Sequence, residues 1–131
     1  MFVDASAMVA ILVEESDAAA LTKRLAQAVE PCTSPIAIYE AVAGVARACN
    51  VPIRTAETIL DRFLEQATVR VVPITAEIGR GAVSAFERYG RGRHPAALNM
   101  GDCFAYACAN ELDVPLLFKG NDFPQTDIAV A

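Results

Sequence analysis

The chain opens on a short apolar run, Met1-Phe2-Val3, that stops at Asp4. Such a run reads as a buried strand with a carboxylate at its carboxyl end. Ser6 is then placed to cap a short helix through Val13. Ser16-Asp17 starts a second helix, with Leu21, Leu25, Ala28 and Val29 on one face. Pro31 to Ser34 is an extended connection. Ser34 followed by Pro35 is an N-cap and N1 pair for a helix running to Cys49, where Asn50-Val51-Pro52 breaks it.

The segment from Ile53 to Ala67 is amphipathic. Its apolar stripe is Ile53, Ala56, Leu60, Phe63, Leu64 and Ala67, and Glu57, Asp61, Arg62 and Glu65 form a solvated face. Val69 to Val72 is the next strand. Thr75 caps a helix carrying Ile78, Ala82, Ala85, Phe86 and Tyr89 at helical spacing, the aromatic pair reading as core. A loop, Gly90 to Pro95, precedes a helix from Asn99 to Leu112. Pro115 to Phe118 is a strand, Lys119 to Asp122 a loop, and Ile128 to Val130 a last short strand. Strands separated by helices imply parallel crossovers and a sheet covered on both faces. The class is α/β.

The length of 131 residues, 54% hydrophobic and 21% charged, fits a single globular domain over 1–131. Lys and Arg total 11 against 16 Asp and Glu, a formal charge of −5. That balance disfavours a generic basic nucleic-acid binder, which needs a cationic excess. The longest uncharged stretches, such as Ala5 to Val13, span 9 residues, well short of the roughly 20 a membrane span requires. The start has no basic region before its apolar run, so a cytoplasmic protein with no membrane association is expected. Four cysteines (Cys32, Cys49, Cys103, Cys108) form no C-x-x-C, and His94 is the only histidine. Neither zinc nor a disulfide framework is expected. Cys49, Cys103 and Cys108, with Ala, Val or Phe close by, read as small buried apolar residues.

Four acids stand out by position. Asp4 is the only charge in the first 13 residues, Glu40 the only one between Glu30 and Arg47, and Asp102 the only one between Arg93 and Glu111. Glu40 shares a helix face with Ile36 and Ala43, positions expected to be buried. Asp122 follows the strand at Leu116 to Phe118. Asp4 and Asp122 thus sit at the carboxyl ends of parallel strands, where ligand sites collect in open α/β sheets. Helix-borne Glu40 and Asp102 are able to lean over the same rim. Carboxylates in apolar surroundings are strongly unfavourable without compensation. Four of them converging call for a divalent cation, and hard oxygen donors point to Mg²⁺, with Mn²⁺ as substitute. Each acid also has a plainer reading. Asn99 to Asp102 fits N-cap to N3 spacing, and Asp4 and Asp122 fit turns. Glu40 has neither a helix end nor a basic residue within four positions to hold it.

These residues carry a resemblance. Met-Phe-Val-Asp4-Ala-Ser6, Glu40 after a Ser-Pro helix opening, Leu98-Asn-Met-Gly-Asp102-Cys and Lys119-Gly-Asn-Asp122-Phe resemble the PIN-domain ribonucleases, in order and over essentially the whole chain. More narrowly they resemble the VapC-type toxins of VapBC (type II) toxin–antitoxin systems. The family's acidic cluster falls on Asp4, Glu40, Asp102 and Asp122. Phe118 departs from the small polar residue many relatives carry there. The resemblance implies a PIN-like three-layer α/β/α sandwich with a central parallel sheet, and a homodimer inhibited by a cognate VapB-type antitoxin. It also implies Mg²⁺- or Mn²⁺-dependent endoribonuclease cleavage of RNA to a 5′-phosphate and a 3′-hydroxyl. Asp4 and Asp102 are then the main metal ligands, completed by Glu40 and Asp122.

An acidic chain still has local means to grip RNA. Arg88-Tyr-Gly-Arg91-Gly-Arg93-His94 contains no acid and reads equally as a phosphate contact and as a solvated loop. Lys119, near Asp122, is a further phosphate-contact candidate. Ser6 and Asn99 read as helix caps that also border the site. Two other classes stay open: a catalytically inactive PIN-like interaction module, and a phospho-acceptor receiver-like regulatory domain. The latter needs adjacent acids after the first strand, and none stands there.

Overall fold

The computed structural model describes all 131 residues. Four short parallel strands, β1 (Phe2–Val3), β2 (Cys32–Thr33), β3 (Arg70–Val71) and β4 (Leu116–Leu117), form one sheet in the order β3-β2-β1-β4. Phe2 lies opposite both Cys32 and Leu116, and Val3 opposite Leu117. Helices α1 (Ala5–Leu12) and α2 (Ala18–Ala26) connect β1 to β2, and α3 (Pro35–Cys49) and α4 (Ile53–Gln66) connect β2 to β3. Helices α5 (Ala76–Tyr89) and α6 (Met100–Glu111) connect β3 to β4. The chain moves outward from β1 through β2 to β3, then returns to the other side of β1. The order therefore reverses between β1 and β4, which opens the crevice where α/β sheets collect ligands.

Strand alternation divides the core. Phe2, Cys32 and Leu116 pack with buried residues of α5 and α6, including Ile78, Ala82, Tyr89, Cys103 and Cys108. Val3 and Leu117 face the other way, against Met8, Leu21, Leu25, Ala41, Leu60 and Leu64 of α1 to α4. The result is the expected α/β/α sandwich. Fully burying side chains such as Phe2, Leu116 and Leu117 stabilises it by about 1.5–3 kcal/mol each. No single helix is long and apolar enough to cross a membrane.

Helix starts follow the local chemistry closely. Ser34 Oγ accepts from Ala37 N at 3.2 Å and Thr75 Oγ1 from Ile78 N at 3.2 Å. Asn99 and Asp102 form a reciprocal capping box. One cap is reassigned. Asp4, not Ser6, caps α1, because β1 ends at Val3 and hands the helix its first turn at Ala5.

Other differences share one cause: an apolar residue is buried only where something packs on it. Helix α2 stops at Ala26, so Val29 is 96% exposed, and Ile53, in the first turn of α4, is 58% exposed. Phe86 is 42% exposed on α5, under the Arg93 guanidinium rather than in the core. Cys49 is exposed at the end of α3, whereas Cys32, Cys103 and Cys108 are buried. Ala43 is also exposed. The last segment makes a single bridge, Leu116 with Val130, instead of a strand.

Candidate active site

Asp4 leaves β1 and caps α1. Its Oδ2 accepts from Ser6 N at 2.9 Å and from Ser6 Oγ. The same Ser6 hydroxyl accepts from Lys119 N at 3.0 Å, so one side chain ties the end of β1 to the loop after β4. Asp4 N donates to Leu117 O at 2.9 Å, which locks the two strand ends side by side. The Asp4 carboxylate is buried, at 3% exposure, with no cation beside it. Burial raises its pKa, against the lowering effect of the Ser6 hydrogen bonds.

Asp102 sits at N3 of α6, where its Oδ2 accepts from Asn99 N at 2.8 Å. Its pKa is raised, first by burial; the Asn99 hydrogen bond opposes this. The charges of Asp4 and Asp122 raise it further and that of Arg91 lowers it. Glu40, half-buried on α3, is pushed up to about 7, first by burial and then by the charges of Asp4 and Asp102. Its carboxylate lies against Gly101, in the space a Cβ there would fill. Asp4, Glu40 and Asp102 therefore act on one another across three elements. Asp122 is exposed at the start of the 3-10 turn Phe123–Gln125 and joins this group through its charge on Asp102.

The acids are gathered but not closed into a cage: no three His, Cys, Asp or Glu side chains are arranged here to hold a metal ion. Two of the carboxylates each commit an oxygen to a helix cap. The donor set nonetheless suits a hard divalent ion, being all carboxylate and uncompensated by Lys or Arg side chains bonded to Asp4, Glu40 or Asp102.

The remaining candidates are placed as follows. Arg91 and Arg93 are exposed on the loop leading to α6, Arg91 near enough for its charge to reach Asp102. His94 Nδ1 accepts from Ala96 N at 3.1 Å and its ring packs edge-on against Tyr89, so it braces that loop. The Lys119 ammonium pairs with Glu15 and, at 3.3 Å, with Asp17. It is held at the α1–α2 turn instead of standing free beside Asp122. Gly101 lies within the Leu98-Asn-Met-Gly-Asp102-Cys motif, but the sequence assigns it no role of its own, because the partner that fills the place of its missing side chain is evident only in the fold.

Comparison with known proteins identifies the family. The PIN-domain family matches residues 1–129. A VapC ribonuclease of Rhizobium meliloti is 42% identical over 139 aligned residues, covering 97% of this chain and 98% of that one. A ribonuclease VapC of Mycolicibacterium smegmatis is 39% identical, covering 98% of each. Among solved structures, VapC20 of Mycobacterium tuberculosis, a toxin described as cleaving the sarcin–ricin loop, superposes with a TM-score of 0.79. It covers 99% of this chain and 97% of that one at 17% identity, a likeness of fold. The sheet order also departs from the 2-1-3-4-5 order of flavodoxin-like folds, to which receiver modules belong. With its acids gathered at the β1–β4 crevice and relatives matching along nearly its full length, this chain belongs to the PIN-domain family and, within it, to the VapC ribonuclease toxins.

Proposed function

We propose that this protein is the toxin of a VapBC pair and a metal-dependent endoribonuclease, hydrolysing RNA phosphodiester bonds at the rim formed by Asp4, Glu40, Asp102 and Asp122. The observation that carries the reading is the uncompensated group of Asp4, Glu40 and Asp102, each raised by burial, with Glu40 near 7. A fold that gathers carboxylates without a cation destabilises itself unless a ligand neutralises them. Mg²⁺, with Mn²⁺ as substitute, is the ion this oxygen set favours.

Asp4 and Asp102 are the principal ligands. Each uses Oδ2 in a helix cap, so the cap fixes the carboxylate and Oδ1 remains for a ligand. The plain reading of these acids as caps and the functional reading are thus compatible. Glu40 and Asp122 complete the set or orient water. When bound, the ion supplies a water of lowered pKa and neutralises charge on the phosphate. Ser6 holds Asp4 and the Lys119 backbone in one hydrogen-bonded unit, which keeps the β1 and β4 sides of the crevice in register. Arg91 and Arg93 approach RNA phosphates from the loop before α6, and Asn99 borders them as the cap of that helix. Lys119 reaches a phosphate only by leaving Glu15 and Asp17.

The protein acts in the cytoplasm as a homodimer, restrained by a cognate VapB-type antitoxin. The test is cleavage of RNA by purified protein over a Mg²⁺ titration: cleavage appears with the ion and is absent with chelator. The open spacing of the acids favours one second reading, an inactive PIN-like interaction module. Absence of Mg²⁺ or Mn²⁺ binding at millimolar concentration favours that module over the nuclease.

A further inference from the structure

Seven glycines occur in the chain, and at only one of them does a charged side chain occupy the place of the missing Cβ. At Gly44 the space is filled by Val9, at Gly81 it is bordered by Ala107, and at Gly90 it is filled by Phe86; three others face nothing close. At Gly101 a Cβ would overlap both oxygens of Glu40, well inside the 3.0 Å below which Cβ contacts are not found. Gly101 is buried in the first turn of α6, and it is absent from the glycines of positive φ. Its backbone therefore accepts any L-residue, and helix propensity alone would favour alanine. The glycine costs helix stability and nothing in its own conformation requires it. What requires it is the carboxylate of Glu40, set directly against the turn whose next residue is Asp102.

We propose that Gly101 is a positioning residue for the acidic site: the absence of its side chain is the seat that holds the Glu40 carboxylate between Asp4 and Asp102. This rests on the metal-dependent reading of the site. Glu40 is the end of a flexible side chain, so an added methyl displaces it at little cost to the fold. The consequence falls on the site instead. Glu40 leaves α6, and the oxygen set loses a member while α6 and its Asn99–Asp102 cap remain.

The test is a double-mutant cycle on the full chain, Gly101→Ala against Glu40→Ala, read by Mn²⁺ affinity and by thermal melting without metal. Gly101→Ala is expected to melt at or above the wild-type temperature while binding Mn²⁺ roughly 10-fold more weakly, the scale of losses at residues supporting metal ligands. In the Glu40→Ala background the same substitution changes Mn²⁺ affinity little, because the side chain it acts through is gone. Wild-type affinity in Gly101→Ala, or an equal loss with and without Glu40, overturns the proposal. A crystal structure of metal-free Gly101→Ala decides independently. Glu40 displaced from α6 supports the seat, and Glu40 in its original place refutes it. Failure of the wild type to bind Mn²⁺ defeats the metal-dependent reading itself, a result distinct from either.

Discussion

Along one face of its first two turns, α6 meets carboxylates in opposite circumstances. In the first turn Asp102 stands with Asp4 and Glu40, and all three are raised by burial, Glu40 to about 7. One turn further on, Tyr106 donates to Asp127 Oδ1 at 2.6 Å, while Arg88 donates to Asp127 Oδ2 at 2.9 Å and to the Tyr89 hydroxyl at 2.7 Å. There the Tyr106 and Arg88 hydrogen bonds bring Asp127 down to about 2, and the Tyr106 hydroxyl, buried and bonded to a carboxylate, rises to about 12. The chain is thus able to satisfy an acid against this helix, and does so where the acid fastens the C-terminal segment to α5 and α6. At the other position Asp4, Glu40 and Asp102 have no ion-pair partner, and Asp4 and Asp102 are held only by helix-cap hydrogen bonds. One cluster contributes to stability as it stands; the other is the site proposed to take a divalent cation.

The sharpest way to break this contrast is to neutralise one acid in each cluster. Asp4→Asn keeps a good helix cap and removes a buried charge that no cation balances. The metal-free protein should melt at or above the wild-type temperature, while RNA cleavage falls by ~100-fold or more, beyond the 10–100-fold typical of residues that merely support a ligand. Asp127→Asn should do the reverse, lowering the melting temperature and leaving cleavage unchanged. A cleavage loss of the same size in both variants would erase the distinction.

A smaller effect lies in pH. The folded-state pKa of Glu40 is about 7 against 4.5 for an unperturbed glutamate, so between these values the folded chain holds a proton the unfolded chain has lost. The stability of the metal-free protein therefore declines as pH rises from 4.5 to 7 and levels off above that range. Glu40→Gln should flatten the slope, and saturating Mg²⁺ should offset the loss at neutral pH. Denaturant melts at a series of pH values, with and without the ion, measure both. A metal-free stability that increases over this interval would contradict the burial assigned to Glu40.

Legibility in the sequence followed whether a residue's role is decided locally. Ser34-Pro35, Thr75 and the Asn99–Asp102 spacing each specify a helix start within four residues, and each cap is found. The isolation of Asp4, Glu40 and Asp102 among apolar neighbours was visible for the same reason. Asp4 and Ser6 both offer an oxygen to the first turn of α1, and the strand end, a tertiary feature, selects Asp4. Val29, Ile53 and Phe86 are apolar at helical spacing, but no element covers them. The engagement of Lys119 by Glu15 and Asp17, and of Gly101 by Glu40, joins residues far apart in sequence. Only the packed fold brings them into contact.

The smallest effect belongs to the satisfied cluster and calibrates the rest. Tyr106→Phe removes one hydroxyl and leaves Asp127 with Arg88 and solvent, so the cost should be about 1.5 kcal/mol, the low end for a hydrogen bond to a charged group because solvent screens Asp127. Its pH dependence identifies the partner. Asp127 has a folded pKa of about 2 against an ordinary 3.8. Its stabilising contribution is therefore complete above 3.8 and disappears as pH falls toward 2. Wild type and Tyr106→Phe should differ at neutral pH and converge in acid, while the Mg²⁺ dependence of cleavage stays the same in both. Since Asp127 is more than half exposed, at 57% for its side chain, added salt should weaken the Arg88 part of the cluster. The Tyr106 hydroxyl, buried and uncharged, should be insensitive to salt. A difference between the two proteins that persists below the pKa of Asp127 would assign the hydroxyl to packing, and the contrast between the two turns of α6 would then rest on the arginine alone.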